Sequence, residues 1–432
     1  MQNVKSRHAT RAISTLFLAV SAVTATAAQA ATVETKGGLT VRSDDGAYEL
    51  NIGGRVHLDA NLVSEDNSAA FGSALIPSNS SAFFRRARLT FSGKALGWEY
   101  NFTPDFAQSA GGNLPTTTTV TGQATTSSSV AFQELYIAHK FGLGKFFIGQ
   151  FTPFRSIEDN TSSNEITIIE RAITSSGGVY RGGISRFFLI GLGYQFNPVP
   201  NATFGVGAFN LRRDNTPSTE GTALSARATW APVQSPGRIL HLGISASQEN
   251  PRGAPGSPAG NVSTLFSYAG LRGPTASLGG TTGNENARYY AGELAGVFGP
   301  LYLQSEYVHA RYGQDESSAL RHTNTDLYHV TLSYNVFGEA KTYNTVRGSF
   351  KSIKPKNSFG AVELVARHEF ARNEDATAAT AIREVTSDTV GFNYYFNPNT
   401  RVLVNYILGR AERVNGQVDK PNTLALRFQL NW

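Results

Sequence analysis

Cysteine is absent from this 432-residue chain, and only 16% of its residues are charged. Without cysteine there is no disulfide framework and no thiolate metal site. No segment beyond residue 30 approaches the roughly eighteen consecutive apolar residues of a transmembrane helix, which excludes helical membrane spans. A chain of this length without disulfides needs another source of stability, and we expect extensive hydrogen bonding between strands.

The first thirty residues have the pattern of a secretory signal peptide. Lys5, Arg7 and Arg11 precede the apolar run at 12–27, and AQA at 28–30 offers a small-x-small cleavage site after Ala30. A signal anchor is the alternative, which the short and Ser/Thr-interrupted run disfavours. The rest of the chain, 31–432, is predicted to form one exported domain with a polar lead-in at 31–47. The net charge of +6, which includes these three basic residues, is too small for a nucleic-acid-binding surface.

A two-residue hydrophobic period identifies the main structural element. In the C-terminal stretch TLALRFQLNW, Leu424, Leu426, Phe428, Leu430 and Trp432 share one parity, and the other parity is mostly polar. A strand with this pattern has one apolar and one polar face. Sixteen such segments recur along the chain: 48–63, 83–93, 98–106, 131–141, 146–154, 186–196, 202–211, 222–230, 239–248, 287–298, 301–312, 327–337, 361–370, 388–396, 401–409 and 423–432.

Connections between these segments alternate in length. Short turns rich in Gly, Pro or Asn lie at 94–97, 142–145, 197–201, 299–300 and 397–400, and long polar stretches lie at 64–82, 107–130, 155–185, 249–286, 313–326 and 371–387. This alternation is typical of outer-membrane barrels, and aromatic residues near many strand ends fit their interfacial girdles. The sequence therefore predicts an all-β fold, a sixteen-stranded antiparallel transmembrane β-barrel with short periplasmic turns and long extracellular loops, in the outer membrane of a Gram-negative bacterium.

Two connections depart from this scheme, and one alternative fold is open. The stretch 338–360 lies on the short-turn side but is long, and the Thr/Ser-rich stretch 113–130 is expected to be a mobile loop. The alternative is a soluble secreted β protein. The alternating loop lengths and the terminal Trp432 argue against it, because a C-terminal aromatic residue resembles the assembly signal of outer-membrane barrels.

Several motifs resemble the phosphate-selective porin O/P family. They include GGRVHLD (53–59), FRRARLTFSGKA (84–95), GQFTPF (149–154) with IIERAI (168–173), and FGEAKTYNTVRGSFKSIKPKN (337–357). Together with further matches they run through nearly the whole exported chain. The resemblance implies a trimeric sixteen-stranded outer-membrane channel, with one loop folded inward as a constriction and a preference for anions such as phosphate, pyrophosphate and chloride.

The resemblance also supplies candidate anion-binding residues. By motif, Arg55, Arg85 and Arg86 match the arginine eyelet of the family, and either Arg155 or Arg171, in the candidate constriction loop 155–178, supplies another. The arginine ladder of the family is represented in the expected region only by a short set: Arg212, Arg213 and Arg227. Arg88 joins these candidates because its parity points it into the lumen.

Strand parity gives an independent prediction of the lumen lining. Basic or neutral inward residues are Arg55, His57, Arg86, Arg88, Lys140, Arg227, Arg367 and Arg427, and acidic ones are Asp59, Glu134, Glu293, Glu306, Glu363 and Glu369. The interior is therefore mixed. For Arg227, Arg367 and Arg427, a salt bridge that braces the barrel is the alternative to a pore role. The basic stretch containing Lys341, Arg347, Lys351, Lys354 and Lys356 is either an anion-attracting periplasmic mouth or an ordinary solvated turn.

These observations favour a channel over an enzyme. The chain has no H-x-x-x-H metal motif and no G-x-S-x-G element, so we expect no catalytic site, no cofactor and no metal. The predicted function is passive diffusion of anions, phosphate or polyphosphate, through an arginine-lined constriction of an outer-membrane homotrimer in contact with lipid. The alternative is a general or weakly anion-selective porin for small solutes or organic anions.

Overall fold

Sixteen strands form a closed antiparallel barrel. The computed structural model describes residues 32–35, 38–64, 66, 71, 80–107, 131–175, 187–211, 219–253, 263–280, 286–313 and 323–432. The barrel strands are β1 Tyr48–Ser64, β2 Ser81–Ala95, β3 Trp98–Asp105, β4 Ala131–Phe141, β5 Gly144–Phe151, β6 Leu189–Phe196, β7 Ala202–Asn210, β8 Thr219–Ser235, β9 Arg238–Gly253, β10 Ala287–Phe298, β11 Leu301–Tyr312, β12 Thr323–Phe337, β13 Ala361–Asn373, β14 Ile382–Asn397, β15 Thr400–Arg413 and β16 Asn422–Asn431. The predicted sixteen-stranded barrel is confirmed.

Several strands on the long-loop side extend beyond their predicted ends. Strand β12 begins at Thr323, β13 runs to Asn373 and β14 begins at Ile382, so the connection predicted at 371–387 is much shorter. Outside the bilayer the outward face need not be apolar, which weakens the alternation from which the ends were predicted. The predicted signal peptide at 1–30 and the stretch 113–130 lie outside the described residues.

Closure of the sheet joins β16 to β1. The pairing runs from Asn422 opposite Ser64 to Asn431 opposite Arg55. The backbones of Trp432 and Gly54 then exchange two hydrogen bonds, of 3.0 and 3.1 Å. Because an unpaired backbone group in hydrocarbon costs several kcal/mol, a spanning sheet must close in this way.

The polar lead-in contains two short strands. Leu39–Arg42 pairs with 49–52 at the periplasmic end of β1, beyond the point where β16 ends. Thr32–Glu34 pairs in turn with Leu39–Arg42. The lead-in thus covers part of the edge of β1 that β16 leaves unpaired.

One face of the terminal strand β16 forms part of the outer wall, and the other faces the lumen. Phe428 is 44% exposed on the outer wall, whereas Arg427 and Gln429 are each 1% exposed on the lumen side. Exposed large apolar residues occur on the outer face of every barrel strand, as expected for a wall in lipid. Among the described residues the helix α1, Ile157–Asn160, is four residues long, and no helix there is long and apolar enough to cross a membrane.

Three connections fold into the barrel among the residues that the structure describes. The loop 152–175 after β5 was predicted to do so, and it is treated below as the constriction loop. The stretch after β9 forms a hairpin of Ser263–Ser267 and Thr275–Gly280. Its Tyr268 hydroxyl donates a 2.5 Å hydrogen bond to Asp419, and Thr423 donates one of 2.6 Å to the Ala269 carbonyl. This hairpin packs on inward apolar residues at the extracellular end and fills the lumen beside β10–β15.

The basic stretch 338–360 is the third, and the expectation of an ordinary solvated turn is wrong for it. It contains the paired strands Thr342–Asn344 and Ser349–Lys351 and folds into the periplasmic end of the lumen. The Phe350 ring packs against Tyr302 at 5.1 Å, and buried Lys341 lies 2.9 Å from the Glu363 carboxylate. The stretch is therefore not an ordinary solvated turn, and Lys341 does not attract anions at the mouth, because Phe350 and Lys341 both find partners inside the barrel.

Substitution of Gly54 by Val should weaken the pairing of β16 with β1, which is the seam that closes the barrel. A Cβ atom there would lie 2.3 Å from the Trp432 ring and 2.8 Å from the Arg88 carbonyl oxygen. We expect a loss of about 1–3 kcal/mol in the free energy of unfolding, typical of overpacking. The measurement is the incubation temperature at which the band of the folded barrel disappears, when samples are heated to different temperatures and then run on a gel without boiling. Gly292→Val is the control, because a Cβ at Gly292 meets nothing within 4 Å; equal shifts in the two variants would contradict the prediction.

Candidate pore constriction

A β-bulge in β2 turns two neighbouring arginines into the lumen. His57 pairs with Arg86 but Leu58 pairs with Phe84, so Arg85 is the extra residue. The Arg85 guanidinium donates to the Glu170 carboxylate at 2.8 and 3.2 Å. Strict alternation would have turned Arg85 outward, so strand parity alone did not predict an inward side chain here. The FRRAR motif predicted Arg85 as a pore residue.

The constriction loop is held at its start by aromatic packing against glycines. Phe154 packs on Phe151, and its ring lies over Gly193 and Gly205, where an added Cβ would come within 2.9 and 2.4 Å of it. The Phe154 amide donates a 3.1 Å hydrogen bond to Ser225. The loop therefore enters the lumen from a fixed position on the wall.

Ser156 begins the short helix α1 in a strained conformation. Its φ of 52° lies in the left-handed region that non-glycine residues rarely adopt. Its hydroxyl accepts from the amides of Glu158 and Asp159 and donates to Glu306 of β11 at 2.9 Å. The strain is offset by contacts that fix the direction of the loop across the lumen.

The far end of the loop is bonded to three strands of the opposite wall. Backbone groups of the loop take part in each bond: Ile169 with Asn405 of β15 at 2.9 Å, Thr167 with Asn393 of β14 at 2.8 Å, and Ile173 with Glu369 of β13 at 2.7 Å. The described part of the predicted constriction loop, 155–175, thus spans the lumen from wall to wall.

Glu170 links the loop to both sides of the seam. Its carboxylate bonds Arg85 of β2 and, at 2.8 Å, Arg427 of β16, and Arg427 also forms two 2.7 Å bonds with Asp59 of β1. Burial by itself raises the pKa of the Glu170 carboxyl, but the Arg85 and Arg427 guanidinium groups outweigh it and hold that pKa well below its usual range. Glu170 is therefore ionised at neutral pH.

Arg55 and Arg86 are the candidates whose charge is least compensated. Arg55 donates to the hydroxyls of Ser162 and Ser163, at 3.3 and 2.8 Å. Arg86 is 4% exposed and lies 3.3 Å from the His57 ring. Within the described part of the chain, neither has a carboxylate in salt-bridge range, and the buried Nε of each lacks a hydrogen-bond acceptor. Arg88 lies beside them but is bonded to Asp105 at 2.6 Å.

The remaining candidates are bonded into the scaffold. Arg155 lies 3.1 Å from Glu249, and Arg171 donates to the backbone carbonyls of Glu158 and Thr161. Arg227 forms two 2.7 Å bonds with Glu293 and donates to the carbonyls of Arg347 and Gly348 in the inward-folded turn. These contacts match the bracing alternative for Arg227. Arg212 and Arg213 lie outside the described residues.

Arg347, which the sequence analysis placed at the periplasmic mouth, lies close enough to Arg55 for the two charges to interact. Its side chain is exposed at the tip of the turn 338–360, and its charge interacts with that of Arg55. The Thr345 carbonyl next to this tip accepts a hydrogen bond from Thr203 at the periplasmic end of β7. The sequence showed a basic turn, but only the inward fold of that turn places Arg347 near the constriction.

Comparisons with known proteins identify the family and the fold of the chain. A family model described as "Phosphate-selective porin O and P" matches residues 50–432. The chain is 25% identical to Porin O of Pseudomonas aeruginosa over 415 residues, which cover 90% of this chain and 89% of that protein. The outer membrane channel DcaP of Acinetobacter baumannii has a TM-score of 0.55 at 13% identity and matches 90% of this chain and 99% of its own. An anion-selective porin from Comamonas acidovorans has a TM-score of 0.54 at 10% identity, with coverage of 89% and 100%.

Glu170→Gln should loosen the loop and make the lumen more positive. The change removes the carboxylate between Arg85 and Arg427, and we expect a loss of about 1–3 kcal/mol in the free energy of unfolding. It also leaves one more uncompensated guanidinium, so the ratio of anion to cation permeability should rise. Thermal unfolding and the reversal potential in a salt gradient measure the two effects. Asp388→Asn, on the outer wall, is the control and should change neither quantity. If Glu170→Gln also changed neither, Glu170 would not link the constriction loop to Arg85 and Arg427.

The stability lost in Glu170→Gln should depend on pH in a defined direction. Because the folded-state pKa of Glu170 is depressed, its stabilisation is fully present above the unfolded pKa of about 4.3 and is lost as pH falls toward the folded value. The difference in melting temperature between wild type and variant should be constant between pH 6 and 8 and shrink below about pH 4. A difference that grows on acidification would contradict the ion-pair account.

Proposed function

The chain belongs to the phosphate-selective porin O and P family, and we propose that its outer-membrane barrel selects phosphate and related oxyanions through Arg55 and Arg86. One observation carries the proposal: these two guanidinium groups lie beside the constriction loop without a carboxylate partner among the described residues. A buried cation without a carboxylate partner is costly, because it has lost part of its hydration, unless an anion neutralises it. A permeating anion supplies that neutralisation.

Guanidinium groups suit oxyanions better than ammonium groups would. They remain charged at all physiological pH values, and their planar fork donates two parallel hydrogen bonds to phosphate oxygens. The low-dielectric wall at the narrowest point strengthens each charge relative to bulk water. The hydroxyls of Ser162 and Ser163, already bonded to Arg55, lie close enough to replace part of the hydration shell of the anion.

Nearby carboxylates keep the binding weak enough for conduction. Asp59 and Glu170 occupy the neighbouring guanidinium groups of Arg427 and Arg85, and Asp105 occupies Arg88. The local excess of positive charge is therefore small. Moderate affinity permits release, which a diffusion channel requires.

The same small excess supports a second candidate function. The charge of Glu134 acts on both Arg55 and Arg88. If it offsets the two uncompensated arginines, the channel is a general or weakly anion-selective porin for small solutes or organic anions. The two candidates differ in whether phosphate blocks the chloride current.

The functional unit is proposed to be a homotrimer in the outer membrane, as the family resemblance implies. Light scattering of the purified protein in detergent should give three copies of the 46.4 kDa chain, less the signal peptide, per particle. A single copy per particle would contradict this assembly while leaving the selectivity proposal intact, because Arg55 and Arg86 lie in the lumen of one chain.

Replacement of Arg55 or Arg86 by Ala should reduce anion selectivity. In a planar bilayer with a KCl gradient, we expect the ratio of anion to cation permeability to fall roughly two- to tenfold, because each variant removes an uncompensated charge from a low-dielectric passage. Block of the chloride current by phosphate should weaken in parallel. Arg55→Lys should retain most of the permeability ratio but lose much of the phosphate block, since it keeps the charge and loses the fork.

Arg372→Ala is the matched control because Arg372 is exposed on the outward face of β13. It should leave both the reversal potential and the phosphate block unchanged. Wild-type protein with a reversal potential near zero and no phosphate block would overturn the selectivity proposal and favour the general porin.

A further inference from the structure

His57 lies between Arg86 and the constriction loop. It is fully buried on the lumen side of β1 and pairs in register with Arg86 of β2 and with Gln429 of β16. Its ring nitrogen Nδ1 lies 3.3 Å from Nη1 of Arg86. The other ring nitrogen, Nε2, lies 3.0 Å from the side-chain oxygen of Asn164 in the loop. The ring therefore joins a candidate anion-binding residue of the wall to the loop.

The groups around the ring fix its tautomer. A guanidinium group has only N–H donors, so Nδ1 of His57 accepts the hydrogen bond from Arg86 and carries no proton. The ring proton lies on Nε2, which donates to the Asn164 oxygen. The ring is thus neutral. Its two hydrogen bonds run in one direction, from Arg86 through His57 to the loop.

The orientation of the Arg86 guanidinium depends on this ring. Among the residues that the structure describes, the bond at Nη1 is its single hydrogen bond, and Nε is buried without an acceptor. The edge formed by Nε and Nη2 is therefore unoccupied. Such an edge is a planar fork that can bind two oxygens of one oxyanion. Without the bond at Nη1, the long side chain would be free to adopt other rotamers.

The same part of the loop also holds the second candidate arginine. Arg55 donates to the hydroxyls of Ser162 and Ser163, and Asn164, the next residue, binds the His57 ring. Three consecutive loop residues thus contact one guanidinium group directly and the other through a histidine. The position of the loop and the orientation of both groups are therefore linked.

We propose that His57 is a positioning residue of the anion pathway, which holds Arg86 so that its Nε–Nη2 edge meets a permeating oxyanion. This inference rests on the proposed function of Arg86. Phosphate has oxygens that a fork can match, so its binding depends on the orientation of the guanidinium, whereas spherical chloride responds mainly to the charge. His57 thus sets the preference for oxyanions over chloride more than the preference for anions over cations.

Two amide variants separate this role from simple support of the loop. In His57→Asn the amide oxygen takes the place of Nδ1, since both atoms lie one bond beyond Cγ, and it accepts from Arg86 but does not reach Asn164. In His57→Gln the amide lies one bond farther out, so it reaches Asn164 but leaves Nη1 of Arg86 without its acceptor. His57→Phe keeps an aromatic ring and removes both hydrogen bonds.

Phosphate block of the chloride current in a planar bilayer is the main measurement. The phosphate concentration for half block should rise about three- to tenfold in His57→Phe and His57→Gln, because Arg86 loses one hydrogen bond, and should stay within about twofold of wild type in His57→Asn. The ratio of anion to cation permeability should change less than about twofold in all three, since Arg86 keeps its charge. Wild-type block in His57→Gln with a loss in His57→Asn would overturn the proposal and make His57 a support of the loop.

Arg86→Ala separates failure of this inference from failure of the proposed function. Wild-type block in Arg86→Ala would overturn the proposed function of Arg86. Loss of block in Arg86→Ala together with wild-type block in His57→Phe would overturn the positioning role of His57 alone.

The tautomer of His57 can be measured whatever the conductance. In protein isotopically labelled at the histidine ring nitrogens, the nuclear magnetic resonance signals that disappear in His57→Asn belong to His57. At neutral pH they should show Nδ1 without a proton and Nε2 with one. A proton on Nδ1 would overturn the inference, because this nitrogen could not then accept from Arg86.

His368→Asn is the matched control. It makes the same exchange on the outer wall, where the His368 ring lies 2.7 Å from Asp388, and it should change neither the phosphate block nor the permeability ratio. All variants should show the band of the folded barrel on gels run without boiling. A loss of phosphate block in His368→Asn as large as that in His57→Gln would overturn the proposal, because the effect would not then depend on contact with Arg86.

Discussion

Backbone hydrogen bonding across the seam between β16 and β1 is the constraint on which the rest of this structure depends. In hydrocarbon the sheet must close, because unpaired backbone groups have no water to bind. Closure fixes the register of every strand and therefore which side chains enter the lumen. It also brings Arg427 beside Asp59, residues 368 positions apart in the chain. The seam thus completes the hydrogen bonding of the sheet. It also holds the constriction loop, because Arg427 at the seam binds Glu170 of that loop.

Inside the barrel, most charged side chains stabilise connections that fold inward. Arg227 holds the turn 338–360, Arg367 and Glu158 join β13 to the constriction loop, and Lys341 neutralises Glu363. Partnered charges of this kind form a rigid frame around the passage. Arg55 and Arg86 stand out because the described part of the frame supplies them with hydroxyls and a histidine ring but no carboxylate. A small uncompensated charge on a rigid frame is the arrangement that lets an anion bind briefly and leave.

The outer wall is built for lipid as its solvent. Large apolar side chains are exposed on the outer face of every barrel strand, because that face lies against acyl chains. Between β8 and β11 the small residues Ala228, Gly292 and Ser305 leave a shallow depression in this wall.

The sequence by itself determined the number of strands and where the membrane-facing part of each one lies, because a period-two pattern is a local consequence of one lipid-facing and one wet face. It did not determine the strand ends on the long-loop side, where the outward face need not be apolar. It also placed Arg55 and Arg86 on the lumen side. Only the tertiary structure decided which inward arginines are compensated, since the partners of Arg227 and Arg427 come from distant strands. It alone showed the inward fold of 338–360, which Phe350 and Lys341 stabilise by contacts with Tyr302 and Glu363 on other strands.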